Sequence, residues 1–297
     1  MRLLRAVTVN DANLTSNIVE AGTYPEYAST ATYALGTQVM DTAGASPTHY
    51  VYESLVDGNI GNALTDETKW VFVGSTNRYA MFDQSNGTAT TSASGIDVTV
   101  NVAGRCDGLA LLGLSAQNVT VTMTVGASTV YSSTIDLQSD SGITSWYDWF
   151  SEDIAYKTDL VIDDMPLYTG CSVRVQIGTG TVSCGTMVLG QTRDLGGTTY
   201  GARAGITDYS KKTVDEFGNY QIVPRSFSKR MTVKLYTDNS RIDELHSLLT
   251  EYRTTPAVWL GTETYACTWV FGFYKDFDVE IAQPQKSYIS IEIEGLT

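Results

Sequence analysis

Histidine is nearly absent from this 297-residue chain, which has only His49 and His246. Neither has a Cys or His at helical or strand spacing, so an ordinary zinc site is not expected. A Ser-His-Asp triad would have to recruit one of the two. No G-x-S-x-G elbow exists, however, and the nearest approach, Gly113-Leu-Ser115-Ala-Gln117, lacks the second glycine. Phosphate-binding loops are missing too: Gly196-Gly197 and Gly201 precede no Lys-Ser/Thr pair. Bases are scarce, 19 against 33 acids for a net charge of −14. That balance repels phosphate backbones and gives no expectation of a nucleic-acid partner. No apolar run approaches the roughly 18 residues of a membrane span. The start, Met1 to Asn10, carries Arg2 and Arg5 without a long apolar stretch, so neither membrane insertion nor a secretory signal is expected.

Cysteine is sparse and unpatterned. Cys106, Cys171, Cys184 and Cys267 follow no C-x-x-C spacing, and buried thiols acting as small hydrophobes are the plain reading. Cys171 and Cys184 alone are placed to pair, as the ends of a hairpin folded about Gly178.

What the chain does have is alternation. Ile96–Val102, Val119–Val125, Thr129–Tyr131 and Val173–Ile177 alternate apolar and polar residues, as strands with one wet face do. Glycine turns separate them at sandwich-like spacing. The fold class is therefore mainly β and multidomain. Residues 1–25 form an N-terminal strand or arm that completes the C-terminal domain, and 26–75 form a small β module. Residues 76–195 form a β-sandwich, and 196–297 an α+β domain of β-sandwich-plus-helix type. Charge is unevenly spread across these parts. Residues 196–297 hold 11 bases beside 13 acids, whereas 81–195 hold 4 and 12. The last third also contains the one clear helix, 240–253. Its apolar face is Ile242, Leu245, Leu248, Leu249 and Tyr252, with Asn239 or Ser240 as cap and Pro256 after the stop. That face is expected to pack on Val233, Leu235, Trp259 and Phe271.

Acid pairs could serve a glycosidase, which needs only two carboxylates. The candidates are Glu152-Asp153, Asp163-Asp164, Asp215-Glu216 and Asp276/Asp278. Adjacent strand residues point to opposite faces and cannot address one bond. Asp136, Asp140 and Asp159 to Asp164 match no continuous calcium loop. No catalytic residue, metal or cofactor is expected. Aromatics are the positive signal: 18 Tyr beside 8 Phe and 5 Trp. Many lie in polar surroundings, among them Tyr24, Tyr79, Trp146, Tyr147 and Trp149, and suit sugar stacking or protein interfaces.

Three resemblances follow from particular residues. Tyr27, Tyr33-Ala-Leu-Gly36, Val39, His49-Tyr50-Val51-Tyr52 and Trp70 resemble the small chitin-binding (type 5/12) carbohydrate-binding modules. The resemblance implies Tyr27, Tyr33, Tyr50, Tyr52 and Trp70 as carbohydrate-binding candidates. Asn77 to Asp83, with Gly108 to Ser115, makes residues 77–190 similar to a galactose-binding-type jelly roll. Asp215 to Asn219, Ser228 to Met231, Gly272 to Phe277 and Ile291 to Leu296 make the whole chain similar to a group of structural proteins from tailed bacteriophages. That resemblance implies a non-enzymatic virion component of the tail tip, baseplate or fibre-attachment region, assembled in the host cytoplasm. Its expected partners are other phage tail proteins, copies of itself in a ring, and a host surface glycan. Two alternatives stay open: a stand-alone carbohydrate-binding lectin or adhesin, and a glycan-degrading enzyme with binding modules attached.

Overall fold

The computed structural model describes residues 1–20, 23–42, 48–85, 87–139, 145–151, 155–214, 218–262, 264–281 and 283–296. The protein is mainly β. Its N-terminal strands are β1 (Arg2–Ala6), β2 (Leu14–Ser16), β3 (Gln38–Asp41), β4 (Tyr50–Ser54) and β5 (Trp70–Ser75). Next come β6 (Thr90–Ser92), β7 (Ile96–Cys106), β8 (Gly108–Ser115), β9 (Asn118–Val125) and β10 (Ser128–Asp136). Two short strands, β11 (Gln138–Ser139) and β12 (Ala155–Tyr156), bracket the helix α1 (Trp146–Ser151). They are followed by β13 (Leu160–Ile162), β14 (Tyr168–Ile177), β15 (Val182–Asp194), β16 (Gly197–Thr198) and β17 (Arg203–Asp208). The chain continues through β18 (Lys211–Val214), β19 (Tyr220–Val223), β20 (Phe227–Asp238), α2 (Ile242–Glu251), β21 (Ala257–Leu260), β22 (Trp269–Glu280) and β23 (Lys286–Gly295).

Two compact units result: Met1–Ala6 with Asp107–Leu109 and Val188–Thr297, and Val7–Cys106 with Ala110–Met187. In the first, residues 188–194 of β15 lead an antiparallel sheet in the order β15-β1-β21-β22-β23-β20-β16, with β17 also on β20. β1 fits between β15 and β21 because Leu3 and Leu4 are apolar on both faces, and both are fully buried. The helix α2 covers one face. Leu245, Leu249 and Tyr252 enter a core with Leu3, Val233, Leu235, Trp259, Val270 and Ile291. Three details depart from the periodicity reading. Ile242 and Leu248 are only partly buried, and of the two only Leu248 packs against this core. Val270 supplies the contact expected of Phe271, since neighbouring strand residues take opposite faces. Neither Asn239 nor Ser240 caps α2 through its side chain. A 3-10 turn, Asn239–Arg241, precedes the helix, and the Asn239 amide is engaged by the Gln283 carbonyl (2.8 Å) and the Ser287 hydroxyl (2.6 Å). β22 and β23 meet at Gly272 and Gly295. A Cβ on Gly272 would collide with the Glu294 carbonyl, so only glycine allows this approach.

The second unit contains a five-stranded antiparallel sheet, β10-β9-β14-β7-β2. Val98, Val100, Val121, Met123, Val173 and Val175 on one face are all fully buried, as the Val/Thr alternation requires. β13, β8, residues 182–187 of β15, and β6 pair as a second set of strands. The hairpin expected between Cys171 and Cys184 does not form. β14 pairs with β7 and β9, whereas β15 pairs with β6, so the turn at Gly178 and Gly180 (φ 51° and 93°) carries the chain from one sheet to another. Cys171 and Cys184 are free thiols, like Cys106 and Cys267. Residues 26–75 hold a separate three-stranded sheet, β3-β4-β5, within this unit.

Candidate functional site

The β3-β4-β5 sheet sets Val39 beside Tyr52, Tyr52 beside Phe72, and Ser54 beside Trp70, all on one face. One end of that face is closed. Tyr27, Ala31, Tyr33 and Leu64 pack over Val39 and Trp70. Trp70 meets Tyr27 at 5.7 Å and Tyr33 at 5.3 Å, both edge to face, and the two tyrosines stack at 6.1 Å. The polar tips are satisfied internally. The Trp70 indole N–H and the Tyr27 hydroxyl both donate to the Asn62 carbonyl, at 3.2 and 2.7 Å. The Tyr33 hydroxyl accepts from the Ala28 N–H at 2.8 Å. Tyr33 is 7% exposed and Trp70 2%. These three candidates form the core of the small sheet, where Tyr33 and Trp70 have no free ring face for a ligand.

The other end is open. Tyr50 and Tyr52 are half-buried and Phe72 is 55% exposed. Phe72 meets Tyr50 at 5.1 Å and Tyr52 at 5.8 Å, in edge arrangements. Burial pushes the Tyr52 phenol above its ordinary range, with Asp41 and Tyr50 adding to the shift, so its hydroxyl stays a neutral donor. An apolar strip with two phenol hydroxyls beside it is chemically suited to stacking a sugar ring. Phe72 was not among the sequence candidates. The signal was the period of two in Trp70-Val71-Phe72, which places Phe72 on the Trp70 face.

His49, the residue before β4, lies in a different kind of cluster. Its Nδ1 is 2.7 Å from Glu20 Oε2 and its Nε2 2.8 Å from Asp11 Oδ2. The Tyr79 hydroxyl donates to Asp11 Oδ1 at 2.7 Å, and the Thr76 hydroxyl donates to the second Glu20 oxygen. Burial raises the Asp11 carboxyl, but the Tyr79 bond, His49 and Arg78 outweigh it and hold the group below the usual range. Burial and the Asp11 carboxylate push the Tyr79 phenol well above its own. With a carboxylate on each ring nitrogen, His49 offers neither to a hydroxyl nucleophile, as base catalysis would require. The geometry is that of a tie between residues 11–20, β4 and residues 76–79.

The remaining acids are dispersed. Asp276 and Asp278 are exposed on β22. Glu152-Asp153, Asp215-Glu216 and Asp140 lie outside the described residues. Among the described residues no three His, Cys, Asp or Glu side chains are grouped to hold a metal ion.

In the first unit, β17 and the start of β20 run on into β18 and β19 as a two-stranded arm. All eight residues of β18 and β19 are exposed. Ile206, Val214, Tyr220, Ile222 and Phe227 are each more than half exposed along the arm. Residues 203–234 also hold Arg203, Lys211, Lys212, Arg225, Lys229, Arg230 and Lys234, against Asp208, Asp215 and Glu216. Asp208 accepts from Ser210 and pairs with Lys212 at 3.2 Å, which together bring its carboxyl down to about 2. No family model matches this sequence, and no curated protein is significantly similar to it.

Proposed function

We propose that this chain is a non-enzymatic structural component of a bacteriophage tail, assembled in the host cytoplasm and carried in the virion. In this reading residues 196–297 bind copies of the chain in a ring together with neighbouring tail proteins. The arm formed by β17–β20 is the observation that carries the reading. A two-stranded ribbon is marginal in water by itself, and here both faces of β18 and β19 are wet, with exposed apolar side chains (Val214, Tyr220, Ile222) beside the bases Lys211 and Lys212. A partner surface would give such a ribbon the cover it lacks. Identical copies supply the opposite charge, because the rest of the chain holds 30 of the 33 acids and 12 of the 19 bases. Sedimentation velocity on the purified full chain tests self-association: a discrete oligomer is expected, and a monomer at every concentration up to the solubility limit overturns it. Imaging of native particles with an antibody to the chain tests the placement, with label expected on the tail.

A second reading, a lectin or a tail protein that also touches host glycan, is favoured by the strip of Tyr50, Tyr52 and Phe72. Isothermal titration with chitin oligomers and bacterial polysaccharide tests it. Binding should be weak and insensitive to salt, because no ion pair is involved. Phe72→Ala should abolish the heat without altering the melting profile, whereas Trp70→Ala should unfold the small sheet. Absence of heat with every sugar removes glycan contact from the proposal.

A further inference from the structure

The helix α1 buries none of its six residues. Trp146, Tyr147, Trp149 and Phe150 are 81%, 79%, 46% and 83% exposed. At about 100° per residue they share an arc of roughly 160°, with Asp148 on the opposite side. Burial therefore does not hold this helix in shape; local hydrogen bonds do. The Ser145 hydroxyl accepts from the Asp148 N–H at 3.2 Å, and the Asp148 carboxylate accepts from the Ser145 N–H at 2.9 Å. This reciprocal pair satisfies two orphan amides of the first turn. The Ser151 hydroxyl donates to the Tyr147 carbonyl at 2.8 Å. A helix capped this way keeps its aromatic face formed and uncovered. Four large rings at these exposures leave on the order of 500 Å² of apolar surface, the size that marks an interaction site.

Charge decides what covers it. Residues 136–164 hold eight acids and one base, Lys157, so an anionic lipid surface or a nucleic acid is repelled. The fitting partner is basic, apolar and exposed, and the arm formed by β17–β20 has all three properties. We infer that α1 of one copy is the docking surface for the arm of a second copy of this chain. The aromatic rings take Val214, Tyr220 and Ile222 together with the Lys212 ammonium group as a cation–π contact, because these four share one face of the ribbon. Lys211 on the other face adds to the positive charge that the acidic stretch 136–164 attracts. Such a contact joins two different surfaces, so copies add head to tail and close into a ring where the rotation allows. The inference rests on the self-association proposed above and names its acceptor.

Light scattering on the full chain across a concentration series, at low and high salt, tests this with two surface variants. Trp146→Ala/Phe150→Ala removes the acceptor, and Lys211→Glu/Lys212→Glu reverses the donor. All the altered side chains are exposed, so circular dichroism melting should match the wild type. Each variant alone should associate at least tenfold more weakly, and high salt should weaken the wild type. Mixed together, the two variants retain one good arm and one good helix between them, and should form one-to-one dimers and nothing larger. A wild type that assembles while Trp146→Ala/Phe150→Ala assembles equally well overturns the inference and leaves self-association standing. Failure of the mixture to dimerise overturns it as well. A wild type that never associates overturns the proposed ring and this contact together.

Discussion

Truncating Leu249 to alanine sets the packed side of α2 against its open side. Leu249 is 1% exposed, in a core shared with Leu245, Tyr252, Trp259 and Ile291. Its carbonyl accepts from the Tyr274 hydroxyl at 2.9 Å, which fixes the end of the helix against β22. Leu248, the preceding residue, only packs against that core from its edge. Burying leucine and then deleting most of its side chain costs about 3 kcal/mol where the site cannot collapse, and about half that where water can enter. For a unit of this size each kcal/mol moves the melting temperature by roughly 3–5 °C. Leu249→Ala should therefore lower melting of the first unit by about 10–15 °C, and Leu248→Ala by about 5 °C. Calorimetry measures the shift, and hydrogen exchange locates it: amides of β21, β22 and β23 should lose protection while those of β7, β9 and β14 keep theirs. Equal losses for the two leucines, or an unchanged Leu249→Ala profile, would refute the packing of α2 on this sheet.

Two further tests address chemistry rather than packing. The Asp11 carboxyl sits below its ordinary range when folded, so its contribution is present above the unfolded carboxylate pKa and is lost as pH falls through the folded one. The stability gap between wild type and Asp11→Asn should thus be widest near neutrality and close below about pH 4. Because the side chain is 56% exposed, the gap should stay within about 1 kcal/mol, and a gap that does not change with pH would contradict the link. Burial raises the Cys184 thiol to about 12 and shifts Cys171 in the same direction, whereas Cys267 is exposed. A thiol reagent at pH 8 should therefore label one cysteine in the native chain and four in urea; fast labelling of a second would show that a buried thiol is accessible.

Periodicity reveals an element when one of its faces is wet and the other dry. β7, β9 and β14 meet that condition, and their Val/Thr alternation was legible. β15 does not. From Cys184 to Gly190 every position is buried, so the run Cys-Gly-Thr-Met-Val-Leu-Gly carries no period, and only its first residues read as a strand. β18 and β19 fail in the opposite way, with both faces wet. The aromatic candidates divided for a different reason. Tyr27 stands among polar residues in sequence and Trp70 becomes a candidate through the resemblance to carbohydrate-binding modules, but the carbonyl of Asn62 accepts from both and lets them turn inward. The acceptor is a backbone carbonyl, 35 residues from Tyr27 and 8 from Trp70, and a carbonyl leaves no mark in the residue types around either. Phe72 needed no such partner, and its place was readable from Trp70.

The segments hardest to read are also those that hold their shape without a core. α1 is held by the reciprocal bonds of Ser145 and Asp148. The arm is held by strand pairing, from Arg203 opposite Thr232 to Lys211 opposite Val223. In both, local hydrogen bonds or strand pairing hold the segment while large apolar groups face water. An isolated chain gains little from that arrangement, since exposed rings and an uncovered ribbon invite association. Opposite net charge on the two segments restricts which associations are favourable. Like segments repel, two helices or two arms, and only the unlike pair attracts. In the proposed contact this charge pattern would select head-to-tail assembly by excluding the symmetric alternatives, and it would do so because neither segment is committed to a core of its own.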